Sequence, residues 1–326
     1  MMGEQTKCDL PISADADRYY LLRNMLLPST ALRSLQRLAQ GHSPLELVHT
    51  PHEFWPYRPG FTHHSSPILR ISVLDSSFNP PTLAHLALVN SRPPWQDLQA
   101  ETSQYDAKLL LLSVRNADKT LKPGDASYIQ RLEMMYLLSR SEHGISSLTS
   151  DNNTAVAIID EPTFVGKSTV LLNFLRTRLA SLGAAGSPTI PQPKLTFLMG
   201  LDTLVRLFSV KYYTSEHELR RLLHNFLSPD AEDCRIVCAR RASLSDGCML
   251  EDDAENGIQS IVHEVIGNDR IHIIDIGKDE QAFSSSQVRT QIAAGDDDWR
   301  RLVTDLVADY LIDNRLYISD PRAASE

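Results

Sequence analysis

Between Pro67 and Val89 an apolar strand runs into an apolar helix through a loop that no regular element can cross, and this junction constrains the fold more than any other stretch of the chain. Pro67-Ile68-Leu69-Arg70-Ile71-Ser72-Val73-Leu74 is rich in apolar and β-branched residues, the composition of a largely buried parallel strand. The strand ends at Asp75, and Ser76-Ser77-Phe78-Asn79-Pro80-Pro81 follows. Two consecutive prolines fix φ and remove N–H donors, so neither strand nor helix continues through them. Thr82 is suited to cap a helix beginning Leu83-Ala84-His85-Leu86. His85 then lies in the first turn, where unpaired backbone N–H groups and the positive dipole end favour an anion by about 0.3–1 kcal/mol at an exposed site. Taken alone, the stretch is a turn shaped to hold phosphate, or a plain connection with a buried or solvated histidine.

Later segments repeat this chemistry. Ile271-His272-Ile273-Ile274-Asp275-Ile276 reads as a strand, followed by Phe283-Ser284-Ser285-Ser286-Gln287-Val288-Arg289. Three hydroxyls and an arginine at a helix start suit a polyphosphate, or else a serine cap with a solvated arginine. Lys194-Leu195-Thr196-Phe197-Leu198-Met199 reads as another buried strand, ending in Gly200-Leu201-Asp202. The Asp202 carboxylate could accept both hydrogen bonds of a vicinal diol or cap a helix. Strands are also expected at Lys108–Val114 and at Arg235-Ile236-Val237-Cys238-Ala239, the latter followed by Arg240 and Arg241. Strands alternating with helices predict a mostly parallel sheet.

Ser77-Phe78-Asn79-Pro80-Pro81-Thr82-Leu83-Ala84-His85 resembles the Gly-Ser-Phe-Asn-Pro-x-Thr-x-x-His motif of the nicotinamide mononucleotide adenylyltransferases, with Ser76 where the family has glycine. The segment from Phe283 to Arg289 is similar to the family's Ile-Ser-Ser-Thr-x-Ile/Val-Arg motif, with Phe283 for isoleucine and Ser286 for threonine. Gly200-Leu201-Asp202 resembles its ribose-contacting Gly-x-Asp segment, either Arg240 or Arg241 its strand-ending arginine, and residues 305–317 its closing helix. Arg131 falls where the family also places arginine.

The resemblance implies an α/β, Rossmann-like nucleotidyltransferase fold: a mostly parallel sheet flanked by helices, occupying residues 67–320. It implies an ATP site of Ser76, Ser77, Phe78, His85, Gly200, Asp202, Ser284, Ser285, Ser286 and Arg289, with His85 and Arg289 as catalytic groups. A pyridine mononucleotide would meet Lys119 or Lys122, and Phe164 as a stacking substitute for the family's tryptophan. The implied reaction is attack of nicotinamide mononucleotide, or nicotinic acid mononucleotide, on the α-phosphorus of ATP, giving NAD and pyrophosphate. Mg²⁺ would accompany ATP, and no residue is assigned as a metal ligand. A sibling nucleotidyltransferase with another phosphorylated acceptor, and a degenerate ATP-binding or ATP-hydrolysing regulator, are the alternatives.

Residues 1–66 are expected to form a helical extension, with helices over 18–27 and 30–39 divided by Pro28, and residues 321–326 a disordered tail. Residues 181–193 and 243–257 read as surface loops. A net charge of −9 argues against broad nucleic-acid binding. The four cysteines are too dispersed for a zinc pattern, and His52, Glu53, His63 and His64 lack a fixing spacing. Val165-Gly166-Lys167-Ser168-Thr169 ends like a Walker A loop, but the preceding glycine is missing at the required interval. No apolar run reaches the length of a membrane span and the N-terminus has no secretory pattern, so the cytoplasm, with the nucleus as a second compartment, is the expected location.

Overall fold

The computed structural model describes residues 28–58, 66–94, 104–115, 122, 124–141, 153–183, 190–240 and 270–318. The expected helix over 18–27, the acidic loop 243–257, His63, His64, Lys119, Arg241, Cys8, Cys248 and the tail lie outside the described residues.

The elements, in order, are α1 (Pro28–Ala39), β1 (Leu45–His49), β2 (Ile68–Asp75), α2 (Leu83–Val89), β3 (Ala107–Ser113), α3 (Tyr128–Ser141), β4 (Thr154–Ile159), α4 (Phe164–Gly183), β5 (Gln192–Gly200), α5 (Leu201–Leu207), α6 (Glu216–Leu227), β6 (Arg235–Ala239), β7 (Ile271–Ile274), α7 (Ser285–Ala294) and α8 (Asp305–Asp313). The strands form one sheet in the order β1-β4-β3-β2-β5-β6-β7. All neighbours are parallel except β1 and β4.

The period-two geometry of strands sorts the apolar residues onto two faces. Leu69, Ile71 and Val73 of β2 share one face with Leu109, Leu111, Leu195 and Phe197, packed under α4 and α6 through Leu171, Leu175, Leu223 and Phe226. Leu74, Leu110, Leu112, Val156, Ile158 and Leu198 share the other face, covered by α1, α2 and α3 through Ala31, Leu38, Leu88, Leu132 and Met135. Burial on both faces is what makes the strand sequences nearly continuous apolar runs. A third cluster joins α3 to α7 and α8 through Met134, Leu137, Val288, Val307 and Leu311. Inside it the Tyr310 hydroxyl donates to Glu133 at 2.5 Å.

Two findings differ from the sequence reading. The leading segment supplies α1, which begins on Pro28, and also a strand: β1 pairs antiparallel with β4, Leu45 opposite Ile159. Proline fits a first helical turn, where its missing N–H would have no partner. The loop after β1 is pinned to the sheet by Asn153, whose amide donates to the Pro56 carbonyl at 3.0 Å while its oxygen meets His52 Nε2 at 3.1 Å. His52 is thus a packing contact. The closing helix, expected to run to residue 317, stops at Asp313 because Arg315 and Tyr317 adopt left-handed φ values of 50° and 64°. The turn carries Tyr317 back over the loop after β2. Among the described residues no helix is long and apolar enough to cross a membrane.

The strand order reverses direction between β2 and β5. In open parallel sheets a ligand crevice forms beyond the C-terminal ends of the strands at such a point. A cavity of about 800 Å³ lies there, reached by Asp75 and Ser76 from β2 and by Gly200 from β5.

Candidate active site

The loop after β2 is a tight turn held from outside rather than by its own backbone. Phe78 sits at φ 45°, which costs a non-glycine residue about 1–3 kcal/mol. Its side chain is fully buried, with its ring centroid 5.3 Å from that of His85, and this packing offsets the cost. Asn79 is the hub: its amide donates to Asp125 Oδ1 at 2.7 Å, and its oxygen accepts the Ala126 N–H at 3.1 Å and the Tyr317 hydroxyl at 2.8 Å.

The loop carbonyls are also claimed. Arg131 donates to Ser77 O at 3.3 Å, Arg289 to Asn79 O at 2.5 Å, and Ser285 Oγ to Pro80 O at 2.7 Å. Arg289 also donates to Ser286 Oγ at 3.3 Å, while Ser284 caps α7 by accepting the Gln287 N–H at 3.2 Å. The two motifs that resemble phosphate-binding segments therefore meet on one wall of the cavity, and all three serine hydroxyls have hydrogen-bond partners within the protein.

His85 has a defined proton position. Its Nδ1 accepts the Thr82 backbone N–H at 3.0 Å, and a backbone N–H can only donate. The ring proton is therefore on Nε2, which donates to Ser76 Oγ at 2.9 Å. Burial lowers the pKa of His85 to about 4, so near pH 7 it is a neutral donor. This orientation excludes a serine nucleophile activated by histidine, since Nε2 would have to accept from Ser76. Ser76, which stands where the resembled motif has glycine, is thus the hydrogen-bond acceptor of His85 Nε2–H.

On the β5 side, Gly200 precedes α5 and Asp202 lies in its first turn, both lining the cavity. Gly200 has an ordinary φ of −85°, and a Cβ added there would meet nothing within 4 Å. The glycine therefore leaves room rather than relieving strain. Arg240 reaches the cavity and lies 3.5 Å from Asp275.

The β3 and β4 side brings Lys122 and Phe164 to the same cavity. Lys122 is exposed. The Phe164 ring stands edge-on to Phe197 and carries the Lys167 ammonium 4.9 Å from its centroid. Lys167 itself forms an ion pair with Asp75 at 2.5 Å, both side chains nearly buried at 6% and 7% exposure. Sequence reasoning missed this pair, along with Asp125 and Tyr317. A lysine inside an apparent Walker-like string and an aspartate ending a strand give no local sign that they meet.

No protein-family model matches the chain. It is 30% identical over 240 residues to a Schizosaccharomyces pombe protein named "Putative nicotinamide mononucleotide adenylyltransferase", covering 72% of this chain and 80% of that one. Among solved structures, it resembles a Plasmodium falciparum nicotinic acid mononucleotide adenylyltransferase complexed with NaAD, with TM-score 0.45 and 16% identity over 76% of this chain and 97% of that one. A Thermotoga maritima TmcAL bound with alpha-thio ATP gives TM-score 0.32 and 12% identity, covering 76% of this chain and 56% of that one.

Proposed function

Since the chain belongs to the nicotinamide mononucleotide adenylyltransferase family, we propose that it transfers the adenylyl group of ATP to nicotinamide mononucleotide, forming NAD and pyrophosphate, with nicotinic acid mononucleotide as a second acceptor. The observation that carries this reading is the hydrogen-bonded contact between the loop 76–85 and the segment 284–289 on one wall of a cavity large enough for two nucleotides.

In this mechanism an oxygen of the acceptor's phosphate attacks the ATP α-phosphorus as the bond to the β-phosphate oxygen breaks. That oxygen is already anionic, so no protein base or nucleophile is required. The chain's own work is alignment and charge stabilisation. His85 Nε2–H donates to a phosphate oxygen in place of Ser76 Oγ. Arg289 and Ser286 meet the polyphosphate, and the Asp202 carboxylate accepts from the ribose hydroxyls. Lys122, at the rim, and Lys119 are assigned to the acceptor's phosphate, and Phe164 to its pyridine ring.

The donors around the phosphate wall are hydroxyls, N–H groups and a guanidinium, which pair with phosphate oxygens rather than with a cation. This suits Mg²⁺ carried in on the substrate's own oxygens, where it would neutralise phosphate charge. The experiment is a product assay with ATP, Mg²⁺ and each mononucleotide, following dinucleotide and pyrophosphate by chromatography. Both products are expected in equal amounts and only when acceptor is present.

A second reading, an ATP-binding or ATP-hydrolysing regulator, draws on the Ser76–His85 hydrogen bond, which occupies the catalytic donor. ATP loss without acceptor would support it. Ser76→Gly tests whether that hydrogen bond competes with substrate. Freeing Nε2–H of a neutral hydrogen bond, worth about 1 kcal/mol, should raise kcat for adenylyl transfer about fivefold. An unchanged or lower kcat would show that Ser76 supports His85 instead of competing for it.

A further inference from the structure

The cavity has two unlike halves on either side of β2. Gly200, Asp202 and the 284–289 segment come from the β5 to β7 side and supply the proposed ATP contacts. Thr163, Phe164 and Lys167 come from the β4–α4 junction on the other side, and Asp75 ends β2 between them. That second half is left for the acceptor.

Its charges are arranged unusually. Lys167 Nζ lies 2.5 Å from Asp75 Oδ2, and exposures of 6% and 7% leave little water to screen either group. The pair has no net charge but two distinct faces: the ammonium offers N–H donors and the carboxylate offers lone pairs. A carboxamide matches both, its oxygen accepting from Lys167 while its NH₂ donates to Asp75. A carboxylate has only lone pairs, so one end of it would face Asp75 as a like charge in a water-poor site. The two pyridine mononucleotides differ at this group alone.

We propose that the Asp75–Lys167 pair is the selector for the acceptor's pyridine substituent, favouring the carboxamide over the carboxylate. The proposal rests on the adenylyl-transfer reading above.

The test is the ratio of kcat/KM for nicotinamide mononucleotide to that for nicotinic acid mononucleotide in the wild type, Asp75→Asn and Lys167→Gln. The wild type should favour the carboxamide at least about tenfold, the size of a mispaired charged hydrogen bond. Asp75→Asn unmasks the ammonium and should shift the ratio about tenfold toward the carboxylate. Lys167→Gln retains a donor to Asp75 but removes the cation, and should shift it further toward the carboxamide. A purely structural pair would change both acceptors together, whatever the loss of folded protein in either variant. Dinucleotide formation with a wild-type preference for the carboxylate, or with ratios in the variants within twofold of wild type, overturns the selector alone. Failure of the wild type to make dinucleotide from either acceptor overturns the adenylyl-transfer reading and the selector with it.

Discussion

Replacing His85 by alanine should lower kcat for adenylyl transfer by about 10²–10³-fold, the usual cost of removing a preorganised donor from a developing oxyanion. The side chain is held at both nitrogens, Nδ1 accepting the Thr82 N–H and Nε2–H donating to Ser76 Oγ. Stability should suffer much less. The lost contact with Thr82 is a helix-cap hydrogen bond, whose removal costs about 0.5–2 kcal/mol. Steady-state turnover beside a thermal melt checks both, and near-normal turnover in a folded variant would take His85 out of the chemistry. The pH behaviour follows from the same burial. His85 titrates near 4 when folded and near 6.5 as a free side chain, so as pH falls below about 6.5 the unfolded chain gains its proton first and the fold loses stability toward pH 4. His49, lowered to about 4 by burial and by Arg140, adds to the same acid sensitivity. Above that window both are neutral and neither makes stability vary with pH.

Arg289→Ala should reduce kcat/KM for ATP about 100-fold or more, through two losses at once. The guanidinium bridges the two motifs, donating to Asn79 O at 2.5 Å and to Ser286 Oγ at 3.3 Å. Without it the turn at Asn79 loses one of its clamps, and the polyphosphate loses a charge-assisted donor, which is stronger than a neutral one. Arg289→Lys should recover only part of the activity, because an ammonium is a point donor and cannot reproduce the planar fork. Separate kcat and KM values decide the case. A rise in KM alone would make Arg289 a ground-state binder, and wild-type kinetics in Arg289→Ala would leave it a strut for the loop.

What could be read from the sequence was whatever depends on consecutive residues. The run from Ser76 to His85 and the run from Ser284 to Arg289 are local strings, and the buried strands announce themselves by apolar composition. Contacts between distant residues left no such trace. Asp75 and Lys167 are 92 positions apart, and Asn79 and Tyr317 are 238 apart. The strand β1 was hidden for a different reason. It has five residues, and a bulge between Leu47 and His49 moves its buried positions to Leu45 and Val48, which breaks the alternation by which a strand is recognised. Ser76 was legible as a departure from glycine, but its meaning was not, because that lies in the distance from its hydroxyl to His85 Nε2.

The antiparallel pairing of β1 with β4 sets the order in which the molecule can be assembled. During synthesis the first strand emerges long before its partner, and Leu45 must wait for Ile159 to be made. Until then its apolar side chains have no sheet to join. Afterwards β4, whose six residues are all buried, is closed off as a template for foreign strands. The leading strand thus docks only after β4 has been made, although it is translated well before it, and shortening the leading segment would leave the β4 edge of the sheet open and adhesive.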